Sequence, residues 1–84
     1  MEINLIILQK YLEGLNDFDY SNLNEYQNKY YLAKKIQEKF PEINDVIVYD
    51  AIDQTNLNSE KTFLTKKYII ELSKNLLSFF TKQP

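Results

Sequence analysis

Leucines recur at helical spacing in the first fifteen residues of the chain. They lie three or four positions apart, at Leu5, Leu8, Leu12 and Leu15. This period places them on one face of an α-helix, and Gly14 favours an end to the helix nearby. The spacing therefore predicts a helix over residues 3–15. A short buried strand over residues 3–8 is the alternative, because that run is almost entirely apolar.

A second apolar stripe follows with the same period. Its members are Leu23, Tyr26, Tyr30, Ala33, Ile36 and Phe40. Asn22 and Glu25 have the spacing of a capping box, and Ser21 is an alternative cap for the same helix. Pro41 ends the stripe, because the residue before a proline is disfavoured in the α region. We expect a helix between these two signals.

Residues 42–53 fit two kinds of secondary structure. In a helix, Pro41 would be the first helical residue. The apolar positions of that helix would share one face: Ile43, Ile47 and Ala51. In a strand, the β-prone run Val46–Tyr49 would lie within residues 45–52 and pair with residues 3–8. We take the helix as the prediction and keep the strand as the alternative.

The last third of the chain has the widest apolar sector. It is expected to run as a helix from Ser59 or Glu60 to Thr81. Its apolar residues are Phe63, Leu64, Tyr68, Ile69, Ile70, Leu72, Leu76, Leu77, Phe79 and Phe80. Its polar residues form the opposite face, at Lys67, Glu71, Lys74, Ser78 and Lys82. A sector this wide is typical of a helix at the centre of a bundle, at a dimer interface or against a partner.

Together these patterns predict one all-α domain, residues 1–84, built as a small bundle of about four helices. The chain has one glycine and two prolines, too few for the frequent turns of an all-β domain. The alternative is an α+β fold with a two-stranded sheet from residues 3–8 and 45–52. The apolar runs are too short to span a membrane, and the first residues do not resemble a secretory signal.

Composition excludes several kinds of chemistry. The chain has no cysteine and no histidine, and all ten of its basic residues are lysine. Disulfides, thiol nucleophiles, imidazole bases and Cys or His metal ligands are therefore absent from the sequence. No carboxylate, serine, lysine or tyrosine stands in a recognisable catalytic arrangement. We expect no enzymatic activity and no cofactor, and the lack of cysteine fits a cytoplasmic protein.

Charge alternates in blocks along the chain. Residues 1–25 carry −4, residues 26–40 carry +3, residues 41–60 carry −5 and residues 61–84 carry +4, for a net charge of −2. The blocks either neutralise one another within the fold or present a charged surface to a partner. The candidate partner-binding residues are aromatic or charged and fall outside the apolar stripes: Tyr31, Lys35, Tyr49, Asp50 and Asp53.

These properties indicate a protein-binding module of unidentified partner. Small size, acidic balance and surplus apolar helix surface are typical of a regulator or inhibitor that covers a target surface, and we expect it to form a homodimer. Lysine as the sole basic residue and nine asparagines favour a phage, plasmid or other mobile-element origin. One alternative is a dimeric DNA-binding regulator of helix-turn-helix type, although the net negative charge argues against DNA binding by the monomer. A second alternative is a bacteriocin-type immunity protein, which belongs to the same structural class.

Overall fold

The computed structural model describes residues 3–15, 25–58 and 65–82, and all regular secondary structure in these ranges is helical. Four α-helices follow one another: α1 (Leu5–Gly14), α2 (Glu25–Lys39), α3 (Asp45–Asn58) and α4 (Lys66–Thr81). At the centre, α3 and α4 pack on each other, while α1 packs on α4 and α2 packs on α3. The predicted bundle of four helices is confirmed. The strands considered at residues 3–8 and 45–52 do not form in these described segments.

The first helix begins and ends close to its predicted limits. Asn4 caps it, because its side-chain oxygen accepts a hydrogen bond from the backbone N–H of Ile7 at 3.0 Å. Two of the predicted leucines, Leu8 and Leu12, are fully buried, and the helix ends at Gly14. The Asn4 cap satisfies a backbone N–H that has no acceptor within the helix, which favours a helix start at Leu5.

The core face of α2 is rotated relative to the predicted stripe. Its buried residues, with the adjoining residue of the connection to α3, are Asn28, Leu32, Ala33, Ile36 and Phe40. Tyr30 was predicted to lie in this stripe, but the residue is 53% exposed. It points roughly 120° away from Ile36 around the helix axis, and Leu32 takes the core position instead. The predicted caps Ser21 and Asn22 lie outside the described residues.

The connection between α2 and α3 corrects the predicted start of the third helix. Pro41 is not its first residue but part of a turn, in which the backbone N–H of Ile43 donates to the carbonyl of Phe40 at 3.0 Å. The cap is Asn44, whose side-chain oxygen accepts from the N–H of Ile47 at 3.0 Å. Asparagine is a strong capping residue, so the helix begins directly after it and both its ends lie later than predicted.

The fourth helix also begins later than predicted. Thr65 has an extended backbone and caps it by accepting a hydrogen bond from the N–H of Tyr68 at 3.2 Å. A start of α4 at Ser59 or Glu60 is therefore wrong. Both of those residues belong to the segment 59–64, which lies outside the described ranges.

Among the residues whose burial the structure describes, α4 contributes the largest number of buried side chains. Its buried residues are Tyr68, Ile69, Leu72, Ser73 and Leu76. Further apolar residues are half-buried at Ile70, Leu77, Phe79 and Phe80. The predicted polar face points outward, with Lys67, Lys74 and Lys82 exposed and Glu71 and Ser78 half-buried. The wide apolar sector is explained by the two helices, α1 and α3, that both pack on α4.

Two buried hydroxyl groups predict opposite mutational effects. The Thr55 hydroxyl donates to the carbonyl of Ala51 at 2.7 Å and accepts from the Asn75 side-chain amide at 2.9 Å. The Ser73 hydroxyl is equally buried and makes no hydrogen bond with any described residue. We expect Thr55→Val to cost roughly 1–3 kcal/mol, and Ser73→Ala to be neutral or to stabilise the fold by up to about 1 kcal/mol.

Thermal denaturation of both variants checks this prediction. A change of about 1 kcal/mol shifts the Tm of a domain of this size by roughly 4–8 °C, which is easily measured. A lower Tm for Ser73→Ala than for the unmodified chain would contradict the assignment of its hydroxyl as a buried group without a partner in the described ranges.

Candidate protein-binding surface

The outer face of α3 exposes two large apolar side chains. Val46 is 63% exposed and Leu57 is 80% exposed. Asp50 and Asp53 lie between them and are also exposed. These four residues are four, three and four positions apart, so they lie within roughly 60° of one another around the helix and extend over roughly 16 Å. We call them the α3 outer stripe.

The helix that carries this stripe is acidic. It contains three aspartates and no basic residue. Asp50 makes no ion pair with a described residue, whereas Asp53 pairs with Lys29 of α2 at 2.5 Å. Asp45 lies at the first turn, where its carboxylate also accepts a hydrogen bond from the N–H of Val46 at 2.9 Å. The stripe therefore presents at least one uncompensated negative charge between two apolar side chains.

Two of the predicted site residues meet at the junction of α2 and α3. The Nζ atom of Lys29 pairs with Asp53 and lies 5.4 Å from the centroid of the Tyr49 ring. This distance is within the range of a cation–π contact. Tyr49 is half-buried and packs against the core. These contacts hold Tyr49 and Asp53 against α2. The remaining members of the α3 outer stripe, Val46, Asp50 and Leu57, are exposed to solvent.

The other predicted aromatic residue belongs to a separate cluster between α1 and α2. The Nζ atom of Lys35 lies 5.6 Å from the ring centroid of Tyr31 and 3.7 Å from the Glu38 carboxylate. The Tyr11 hydroxyl donates to the backbone carbonyl of Lys35 at 2.7 Å. Burial raises the pKa of Tyr11, and the charges of Glu38 and Tyr31 raise it further. The Tyr11 ring also meets Phe40 edge-on, at 5.6 Å between centroids.

The structure thus divides the predicted site. Tyr31 and Lys35 are neighbours on α2, and Tyr49 and Asp53 are neighbours through Lys29. Lys29 and Tyr31 are two positions apart and therefore point in nearly opposite directions from the helix axis, which separates the two groups. Asp50 belongs to neither group and lies at the centre of the α3 outer stripe.

Sequence reasoning missed the two apolar members of that stripe. Val46 was read as part of a β-prone run, and Leu57 lay beyond the predicted end of the third helix. The signal was present in the sequence as a second helical period, from Val46 through Asp50 and Asp53 to Leu57, on the face opposite Ala51. This period includes Leu57 only because α3 continues to Asn58, beyond its predicted end.

A partly buried hydrogen bond holds the second half of α3 on α4. The Tyr68 hydroxyl of α4 donates to the Asn56 side-chain oxygen at 2.6 Å. Burial raises the pKa of Tyr68 to about 12, with the nearby negative charge of Asp53 as a smaller cause. Tyr68 therefore remains a neutral donor over the whole physiological range of pH. Together with the Thr55–Asn75 bond, it fixes the rotation of α3 on α4 and so the direction of the outer stripe.

The described ranges contain neither a candidate metal site nor a candidate membrane span. No group of three or more acidic residues there is placed to hold a metal ion. None of the described helices combines the length and the apolar composition that a membrane crossing requires. Val46 and Leu57 of the α3 outer stripe are among the most exposed large apolar side chains of the described ranges.

Comparisons with protein-family models, curated proteins and solved structures found no match to this chain.

Proposed function

We propose that this chain is a small non-enzymatic protein-binding module, which regulates or inhibits a target protein by covering one of its surfaces. The observation that carries the proposal is the α3 outer stripe. Val46 and Leu57 keep most of their surface in water, although complete burial of such side chains is worth roughly 1.5–3 kcal/mol each. A partner that covers the stripe gains this free energy, and Asp50 between them selects a partner with a basic group at that point.

Composition supports a binding function over catalysis. The sequence lacks histidine and cysteine, the side chains most often used for acid–base and thiol chemistry near neutral pH. All its basic residues are lysine and it has nine asparagines, which supports a regulator of phage or plasmid type. Bacteriocin-type immunity proteins, which are also small and helical, belong to the same structural class. The DNA-binding alternative has less support. The helix α3 follows the turn after α2, as the recognition helix of a helix-turn-helix would, but its outer face carries acidic residues, which repel the phosphates of DNA.

Affinity capture with matched variants tests the proposal. The tagged full chain is incubated with lysate of its own host and compared with Leu57→Ser and Asp50→Lys. We expect both variants to capture at least about tenfold less of the protein that the unmodified chain captures. Loss of the apolar contact and reversal of the charge should each cost more than about 1.4 kcal/mol of binding free energy, which is a tenfold loss of affinity. All these positions are exposed, so the stability of the fold should change little.

Two substitutions on α1 serve as controls. Ile6 is 68% exposed, and Glu13 is an exposed acid on the same helix. Ile6→Ser and Glu13→Lys make the same chemical changes away from the α3 outer stripe and should leave capture intact. Equal capture by all variants would exclude the stripe as the target-binding surface.

A further inference from the structure

The outer face of α4 is the chemical complement of the α3 outer stripe. It consists of Lys67, Ile70, Lys74 and Leu77, separated by three, four and three positions. The two lysines are exposed and make no ion pair with a described residue, and the two apolar side chains are half-buried. These four residues, which we call the α4 outer stripe, extend over roughly 15 Å, close to the length of the acidic stripe.

We propose that the α3 outer stripe of one copy packs on the α4 outer stripe of a second copy, forming a two-fold dimer. The exposed Asp50 then meets a lysine of the partner, and Val46 and Leu57 are covered by apolar side chains. The dimer is inferred from the complementarity of the two stripes. Its role rests on the proposed function, since the second copy covers the target-binding surface until the target displaces it.

The proposed two-fold dimer forms this contact twice. Its axis places α3 on the partner's α4 and α4 on the partner's α3, with both outer stripes facing the second copy. Such an interface closes on itself and does not propagate into a filament. Pairing of two α3 outer stripes would oppose aspartates with aspartates, and pairing of two α4 outer stripes would oppose lysines with lysines. Like charges in contact disfavour both alternatives.

Sedimentation equilibrium of the pure chain, with complementary charge reversals, tests this interface. We expect the unmodified chain to dimerise and the dimer to weaken as salt is raised. Asp50→Lys and Lys74→Glu should each weaken it by at least about tenfold, because each brings like charges together. An equimolar mixture of the two variants should recover the dimer, since the altered α3 of one then matches the altered α4 of the other. Glu13→Lys should sediment like the unmodified chain.

The outcomes separate this inference from the proposed function. A chain that stays monomeric at high concentration and low salt overturns the dimer, as does a dimer that ignores both reversals or a mixture that does not recover. If such a chain still captures a target through the α3 outer stripe, the proposed function stands without the dimer. If the dimer forms as described and no target depends on that stripe, the dimer stands and the proposed function fails.

Discussion

Replacing Leu76 with alanine is expected to lower the free energy of unfolding by roughly 2–5 kcal/mol. Leu76 is fully buried in α4, the helix that packs on both α1 and α3. The substitution removes apolar contacts and leaves a cavity that the close-packed neighbours fill only in part. Domains of this size are stable by roughly 4–13 kcal/mol, so the loss is a large fraction of the total. Urea denaturation followed by far-UV circular dichroism measures it.

The same substitution at Leu57 is the matched control. Leu57 is also a leucine in a helix, but it is 80% exposed. At protein concentrations at which the chain is monomeric, truncation there leaves no internal cavity, so Leu57→Ala should change the free energy of unfolding by no more than about 0.5 kcal/mol. Comparable losses at the two positions under those conditions would mean that Leu76 is not a core residue. At higher concentrations the proposed dimer covers Leu57, so the loss caused by Leu57→Ala should grow with protein concentration.

The free energy of unfolding is expected to fall steeply in alkaline solution, because Tyr68 is harder to ionise in the folded chain than in the unfolded chain. The pKa of Tyr68 is raised from 10.0 to about 12, mainly by burial. Below pH 10 both states hold the proton, so the stability is fully present. Between pH 10 and about 12 only the unfolded chain releases it, and the free energy of unfolding declines by about 2–3 kcal/mol in total.

Comparison with Tyr68→Phe isolates this contribution from the deprotonation of lysines in the same range. The variant loses the hydrogen bond to Asn56, at a cost of about 0.5–1.5 kcal/mol, and loses the part of the alkaline decline that Tyr68 causes. Tyr30→Phe, at an exposed position, should retain the full decline. Urea denaturation at several pH values measures both variants. Identical alkaline declines in Tyr68→Phe and the unmodified chain would contradict the assignment.

The charge blocks have one of the two roles that the sequence allowed, compensation of opposite charges within the fold. The acidic α3 lies between α2 and α4, each of which carries more lysine than acid, so opposite charges are neighbours within one molecule. Within the described ranges, one ion pair between helices, Lys29 with Asp53, makes this contact directly. Asp50, Lys67 and Lys74 have no such partner there and remain available at the surface. Sequence blocks fix the net charge of a helix, whereas its rotation decides which charges are compensated.

Helical periodicity predicted the two helices α1 and α4, which have well-defined apolar faces. The leucine stripe of α1 and the wide apolar sector of α4 are strong signals, because burial of the stripe is what stabilises each helix. Pro41 marked the end of α2 because the proline ring acts locally and needs no tertiary contact. The third helix was ambiguous, since β-branched residues such as Val46 and Val48 suit a strand as well as a helix.

What the sequence by itself determined is the number of helices, the apolar faces of α1 and α4, the boundary before Pro41 and the lack of thiol and imidazole chemistry. Only the tertiary structure decided that Asn44 caps α3, that Leu32 replaces Tyr30 in the core, and that Val46 and Leu57 share an exposed stripe with Asp50. The reason is physical. Helix formation and composition depend on nearby residues along the chain, but the rotation of each helix depends on how all four share one core.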